Sequence, residues 1–186
     1  MSATAAPMGL RVSSHVSGDP RFIVMRDGIV SGYGTNLFTG SPVMMGADGT
    51  IKAVTAANDP IFGIFAGAEW TFGDRRFVQP YWPAGQTFQV NSCLAKVVPC
   101  NDPGAILIGQ TGATVAMTAR GEGINIAAGP TGSIYTGLSS QALSATVGAT
   151  AASFTLLDIV EQPDNDWGDP YVWVKVMIQN KQAGVA

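Results

Sequence analysis

Glycine and proline occupy 23 and 11 of the 186 positions, together about 18% of the chain against about 12% in average usage. They are spread along the chain, so nearly every apolar run is cut off after four to six residues. In a helix interior each Gly costs about 1 kcal/mol and each Pro about 3 kcal/mol relative to Ala, and this density leaves no room for long helices. Phe22 to Met25 is followed by Arg26-Asp27-Gly28, Val43 to Met45 by Gly46-Ala47-Asp48-Gly49, and Ile51 to Val54 by Asn58-Asp59-Pro60. Asp-Gly between apolar runs is a hairpin signal, because both residues tolerate positive φ. The same style predicts strands at Ile61 to Ala66, Phe77 to Trp82, Gln86 to Val90, Leu94 to Val98, Ala105 to Ile108, Ala113 to Met117, Gly123 to Ile126, Ser133 to Thr136 and Phe154 to Val160. Only Ser139 to Ala145 has the character of a helical turn.

Short strands with turn chemistry at roughly ten-residue spacing indicate an all-β fold, an antiparallel sandwich or barrel with long Gly-rich loops. Residues 1–19 are small and polar with little periodicity and read as an extended N-terminal arm. Residues 20–186 form a single β domain, in which 109–152 is a loop-rich elaboration. The last strand, Tyr171 to Asn180, carries hydrophobic residues on both faces. Val172, Val174, Val176 and Ile178 share one side and predict a core wall; Tyr171, Trp173, Lys175 and Met177 share the other, which suits contact with a neighbour.

Charged residues are only 12% of the chain although 46% are hydrophobic, and the net charge is −3. No basic run tracks phosphates, which argues against a nucleic-acid partner. No apolar stretch has the eighteen or so residues of a membrane helix, and no charged segment precedes an apolar one at the N-terminus, so a soluble, non-exported protein is expected. Cys93 and Cys100 would lie on opposite faces of one continuous strand, and a disulfide would need a turn that Pro99 could supply; two buried thiols are the expectation.

Catalytic chemistry finds little support. His15 is the sole histidine and sits in the arm, which argues against a triad or zinc site. Neither a phosphate loop nor a dinucleotide fingerprint occurs. Asp164-Asn165-Asp166-Trp167-Gly168-Asp169 offers oxygen ligands at alternating positions, but Gly168 interrupts the series and no glutamate closes a twelve-residue loop; a tight turn is the expectation. No pair among the thirteen carboxylates is singled out for glycoside hydrolysis. A non-enzyme with no cofactor and no metal is therefore expected. Trp70, Phe72, Phe77, Tyr81 and Trp82 are rings that could serve a sugar platform, though in a low-charge β protein a core or subunit contact is the stronger reading. Trp70, Phe72, Tyr81, Trp82, Trp167, Tyr171, Trp173 and Met177 are the candidate interface residues.

The order of short motifs resembles the capsid decoration, or cement, proteins of tailed bacteriophages. It runs from Met8-Gly9-Leu10-Arg11, with Val12 where the family has proline, through Gly40-Ser41-Pro42-Val43, Gly63-Ile64-Phe65-Ala66-Gly67, Asn101-Asp102-Pro103-Gly104-Ala105 and Thr136-Gly137-Leu138-Ser139-Ser140. It ends in Ile159-Val160-Glu161-Gln162-Pro163-Asp164-Asn165 and a final strand to Ile178-Gln179-Asn180. The resemblance implies an all-β virion protein on the outer surface of the head, made in the host cytoplasm. It would bind the major capsid protein, associate with itself as a dimer or trimer and stabilise contacts between capsomers. A carbohydrate-binding β module using Trp70, Tyr81 and Trp82 is the alternative, and a glycosidase a third.

Overall fold

The computed structural model describes residues 4–15, 18, 21–56, 59–100, 104–127, 129–148 and 152–182. Its strands are β1 (Arg11–His15), β2 (Ile23–Arg26), β3 (Leu37–Phe38), β4 (Pro42–Met45), β5 (Ile51–Ala53), β6 (Gly63–Phe72), β7 (Arg75–Gln79), β8 (Tyr81–Trp82), β9 (Leu94–Pro99), β10 (Ala105–Gln110), β11 (Gly123–Ile126), β12 (Leu143–Val147), β13 (Phe154–Ile159) and β14 (Trp173–Ile178). The sole helical element among the described residues is a 3-10 turn at Met117–Ala119.

The fold is all-β and antiparallel, a sandwich whose sheets do not close into a barrel. One sheet has the order β1-β10-β14-β13-β11-β12; the second runs β2-β9-β6-β4-β5, with β7 also on β6; β3 and β8 form a small third ladder. Sheet order departs widely from chain order, so most pairings are between distant segments: β1 lies on β10, and β10 on β14.

Two hydrophobic cores result. Val172, Val174, Val176 and Ile178 of the last strand region are fully buried in the first core, as their alternation predicts. Leu107, Ile124, Leu143, Phe154 and Leu156 join them from the same sheet, and Ile64 and Val98 from the second. The opposite face of the second sheet supplies Phe65, Ala68, Trp70, Ala95 and Val97 to the second core, which Leu37, Trp82 and Ile29 complete. Neighbours Ile64 and Phe65 enter different cores because successive residues of a strand point to opposite faces. The register between β6 and β9 then shifts between Phe65 and Gly67. This bulge inserts one residue and reverses the phase, so Ala68 and Trp70 fall on the side of Phe65 and not of Ile64.

Several local expectations are corrected. Gln86 to Val90, Ala113 to Met117 and Ser133 to Thr136 form no strand. Ser139 to Ala145 contains no helical turn; its end belongs to β12. The arm is not an unpacked appendage over its described length: Leu10 is buried in the first core and residues 11–15 pair with β10. The 109–152 segment supplies core side chains too, namely Val115, Ala119, Ile124 and Leu143. The Asn101-Asp102-Pro103 turn lies outside the described residues, as do Asn58 and the first three residues of the arm.

Candidate functional site

The outer face of the first sheet is the surface that the last strand's second face predicts. Register places Ile106 beside Met177 and Thr155 beside Met177, and one step along Ile108 beside Lys175 and Asp158 beside Lys175. All six residues are half-buried. At the end of this face Trp173 stands opposite Gln110, whose side chain is buried and holds the N-terminal segment. The Ala6 N–H donates to Gln110 Oε1 at 2.8 Å and Gln110 Nε2 donates to the Thr4 carbonyl at 3.1 Å. A shallow cavity of about 210 Å³ remains there between Met8, Arg11, Ile108, Val160, Gln162 and Trp173. The segment before β1 thus folds over the aromatic end of its own sheet, and Trp173 is partly covered from within the chain.

The acidic run after β13 is a turn organised by one residue that sequence reasoning passed over. Asn165 is 2% exposed. Its Nδ2 donates to the carbonyls of Val160 (2.8 Å) and Trp173 (2.9 Å), and its Oδ1 accepts from the Trp173 N–H at 2.8 Å. It ties the end of β13 to the start of β14 as a short strand would. Asp164 adopts positive φ, as does Tyr171 at the entry to β14, and the Asp166 N–H donates to Asp169 Oδ2. Hydrogen bonding within the turn is the behaviour expected of Asp and Asn. Among the described residues no three His, Cys, Asp or Glu side chains are grouped to hold a metal ion.

Trp167, in the same turn, packs against the first core, and the Arg120 guanidinium lies 5.6 Å from its ring centroid. Arg120 also pairs with Asp158 at 2.7 Å. The hydrogen bond from Arg120 holds the Asp158 carboxyl below the ordinary carboxylate range.

Of the two readings of the Trp70 group, core or subunit contact, the structure shows core for Trp70 and Trp82. Trp70 and Trp82 are 1% and 0% exposed and lie edge to face at 5.0 Å. Phe77 stacks on Trp70 at 5.6 Å and Phe88 meets Trp82 at 5.9 Å. Trp70 and Trp82 are therefore core residues of this chain and not an interface or a sugar platform; the β6 bulge and the β3–β8 ladder turn them inward. Tyr81 is half-buried and stacks on Phe38. Phe72 does reach the surface, at the outer end of β6.

Exposed apolar side chains occur in several places, and the candidate set includes only Phe72 of them; Val78 on β7 and Met117 in the 3-10 turn stand singly. Phe22, Ile23 and Val24 lie on or beside β2, and Ile134 and Tyr135 stand at the tip of the 131–139 hairpin. Val30, Phe72 and Val90 share one end of the second sheet: Gln89 N–H donates to Thr71 and Phe88 N–H to Ser31 Oγ, bringing three loops together there. The runs Phe22 to Val24 and Ile134-Tyr135 were legible as apolar, but exposure is a property of what packs around them.

Cys93 and Cys100 are buried thiols not joined in a disulfide. Burial pushes the Cys93 thiol up to about 11, which makes it a poor nucleophile. In comparisons with known proteins, no family model, no curated protein and no solved structure matches this chain.

Proposed function

We propose that the chain is a structural protein of a phage virion, one that binds the outer surface of the head and stabilises contacts between capsomers. The observation that carries this reading is the exterior: apolar side chains stand exposed at several separate places on a chain with only 12% charged residues. Tyr135 is 95% exposed and Val90 84%. Separate apolar patches suit contact with several neighbours at once, whereas a ligand site gathers its residues into one concavity. The ordered motif resemblance to capsid decoration proteins points the same way. Burial of such patches contributes roughly 25 cal/mol per Å² before association entropy is subtracted, and many weak contacts around a shell act together. The major capsid protein is the implied partner.

Heads assembled without the chain provide the test. Purified protein should bind them saturably at the outer surface and raise the temperature at which they release DNA. Equal release temperatures with and without saturating protein would refute the reading. Replacing Tyr135 and Val90 by Ser should weaken head binding while leaving the thermal unfolding of the protein itself unchanged.

A further inference from the structure

We infer that Arg11 and the cavity beside it seat an acidic side chain of a partner protein, presented on an extended peptide segment with apolar residues on either side. Arg11 begins β1, and its backbone is fixed on both flanks. It stands opposite Ile108 in the β1–β10 ladder, and the preceding Leu10 N–H donates to the Gly40 carbonyl at 2.8 Å. The side chain is exposed, and its hydrogen-bond partner is the Met8 thioether sulfur at 3.3 Å. A thioether is a weak acceptor, whereas a guanidinium carries five donors. Among the described residues the arginine–carboxylate pairs are Arg76–Glu69 and Arg120–Asp158, and Arg11 belongs to neither.

Charge selects an anion. Register sets Arg11, Ile108, Lys175 and Asp158 in one row across β1, β10, β14 and β13. At about 4.8 Å per strand, the two cations flank Ile108 at about 10 Å from each other, and Asp158 lies about 14 Å from Arg11, where Arg120 holds it. Glu161 falls between the lining residues Val160 and Gln162 in sequence, yet it is exposed and does not line the cavity. This end of the face is cationic on a chain of net charge −3. A carboxylate takes the guanidinium fork in two parallel hydrogen bonds.

The size of the cavities selects a peptide. The one beside Trp173 has about 210 Å³. Met8 and Arg11 also line a second, of about 230 Å³, together with Leu10, Val12, Ile64, Val98 and Leu138. Pockets that enclose a free small molecule run about 300–1,000 Å³, so each of these has room for one side chain. Two apolar cavities of side-chain size with an arginine common to both match an extended segment whose carboxylate lies between apolar residues. Trp173 and Arg11 are the residue types that anchor such contacts. The inference concerns the chain alone and stands whether or not the partner is a capsid protein.

Titration of the isotopically labelled full chain with the acetylated, amidated tripeptide Leu-Glu-Leu, followed by NMR, tests it without heads. The indole N–H signal of Trp173 should shift saturably, with Kd on the order of 1 mM for so short a peptide. The Leu-Gln-Leu peptide, which alters no residue of the protein, should bind about tenfold more weakly or worse. Arg11→Gln should weaken Leu-Glu-Leu binding to the same extent with thermal unfolding unchanged, and Arg11→Lys, which keeps the charge and loses the fork, should fall between. Arg75→Gln, an exposed arginine of β7 on the other sheet, should leave Kd as it is. Equal binding of the Glu and Gln peptides, an Arg11→Gln variant that binds like wild type, an unmoved Trp173 signal, or an equal loss with Arg75→Gln would each overturn the inference. Tighter binding of free 3-phenylpropionate than of the peptide would overturn the peptide as occupant.

Discussion

Replacing Asn165 by Ala removes the three hydrogen bonds by which its side chain ties the end of β13 to the start of β14. The side chain is 2% exposed, and its partners are the Val160 carbonyl, the Trp173 carbonyl and the Trp173 N–H, at 2.8, 2.9 and 2.8 Å. A net contribution of about 1 kcal/mol per bond gives about 3 kcal/mol. For a domain of this size each kcal/mol moves Tm by about 2–4 °C, so a fall of roughly 6–12 °C is expected. Urea unfolding followed by far-UV circular dichroism and by tryptophan fluorescence would measure it, with the slope unchanged if the native state keeps its compactness. Asn165→Asp is the sharper variant. It keeps the acceptor for Trp173 N–H but turns a carboxylate toward two carbonyl oxygens, so at neutral pH it should be at least as destabilising as Ala. Protonation restores one donor, and the deficit should shrink as pH falls toward 4. A loss below about 1 kcal/mol for Asn165→Ala, or an Asn165→Asp variant as stable as wild type, would refute the bridging role.

Trp82→Ala should cost about 3–5 kcal/mol, since Trp82 is fully buried between Trp70 and Phe88; a chemical-denaturation loss under 1 kcal/mol would place the ring at the surface. Gly137→Ala should destabilise by about 2 kcal/mol or more, because Gly137 has φ +70 and an added Cβ would overlap the Pro80 ring; calorimetry checks it. Cys93 should resist thiol reagents at pH 8 in the native state and react at once after denaturation. Its thiol is raised to about 11, so the native state keeps a proton that the unfolded chain sheds near pH 9. That part of the stability is full below pH 9 and is lost as pH climbs toward 11, and Cys93→Ala should flatten the decline. Asp158 works in the opposite sense: its lowered pKa stabilises the fold above the ordinary carboxylate range, and this is lost as pH falls through the native value. The two side chains are 48% and 44% exposed, so Arg120→Ala should cost only a few tenths of a kcal/mol at neutral pH and abolish that part of the acid dependence.

What the residues determine by themselves is the class of structure and one of its walls. Gly and Pro at this density exclude long helices on local energetics alone. The alternation of Val172, Val174, Val176 and Ile178 is a two-residue period, legible without knowing any partner. The Asp164 to Asp169 turn is legible for the same reason, since Asp and Asn satisfy their own backbone nearby. Tertiary structure decided the rest. Trp70 would join Ile64 by strict alternation; the β6 bulge reverses its face, and a bulge depends on pairing with β9, some thirty residues away. Residues 11–15 read as an arm because their hydrogen-bonding partner, β10, lies far along the chain. Asn165 looks like any turn residue until β13 and β14 place Val160 and Trp173 around it. The second face of the last strand was legible as apolar, but its partial cover by Thr4 to Met8 follows from a contact with Gln110 that no local pattern encodes. Local preferences act over a few residues, whereas strand pairing and burial are settled between segments that meet only when the chain is folded.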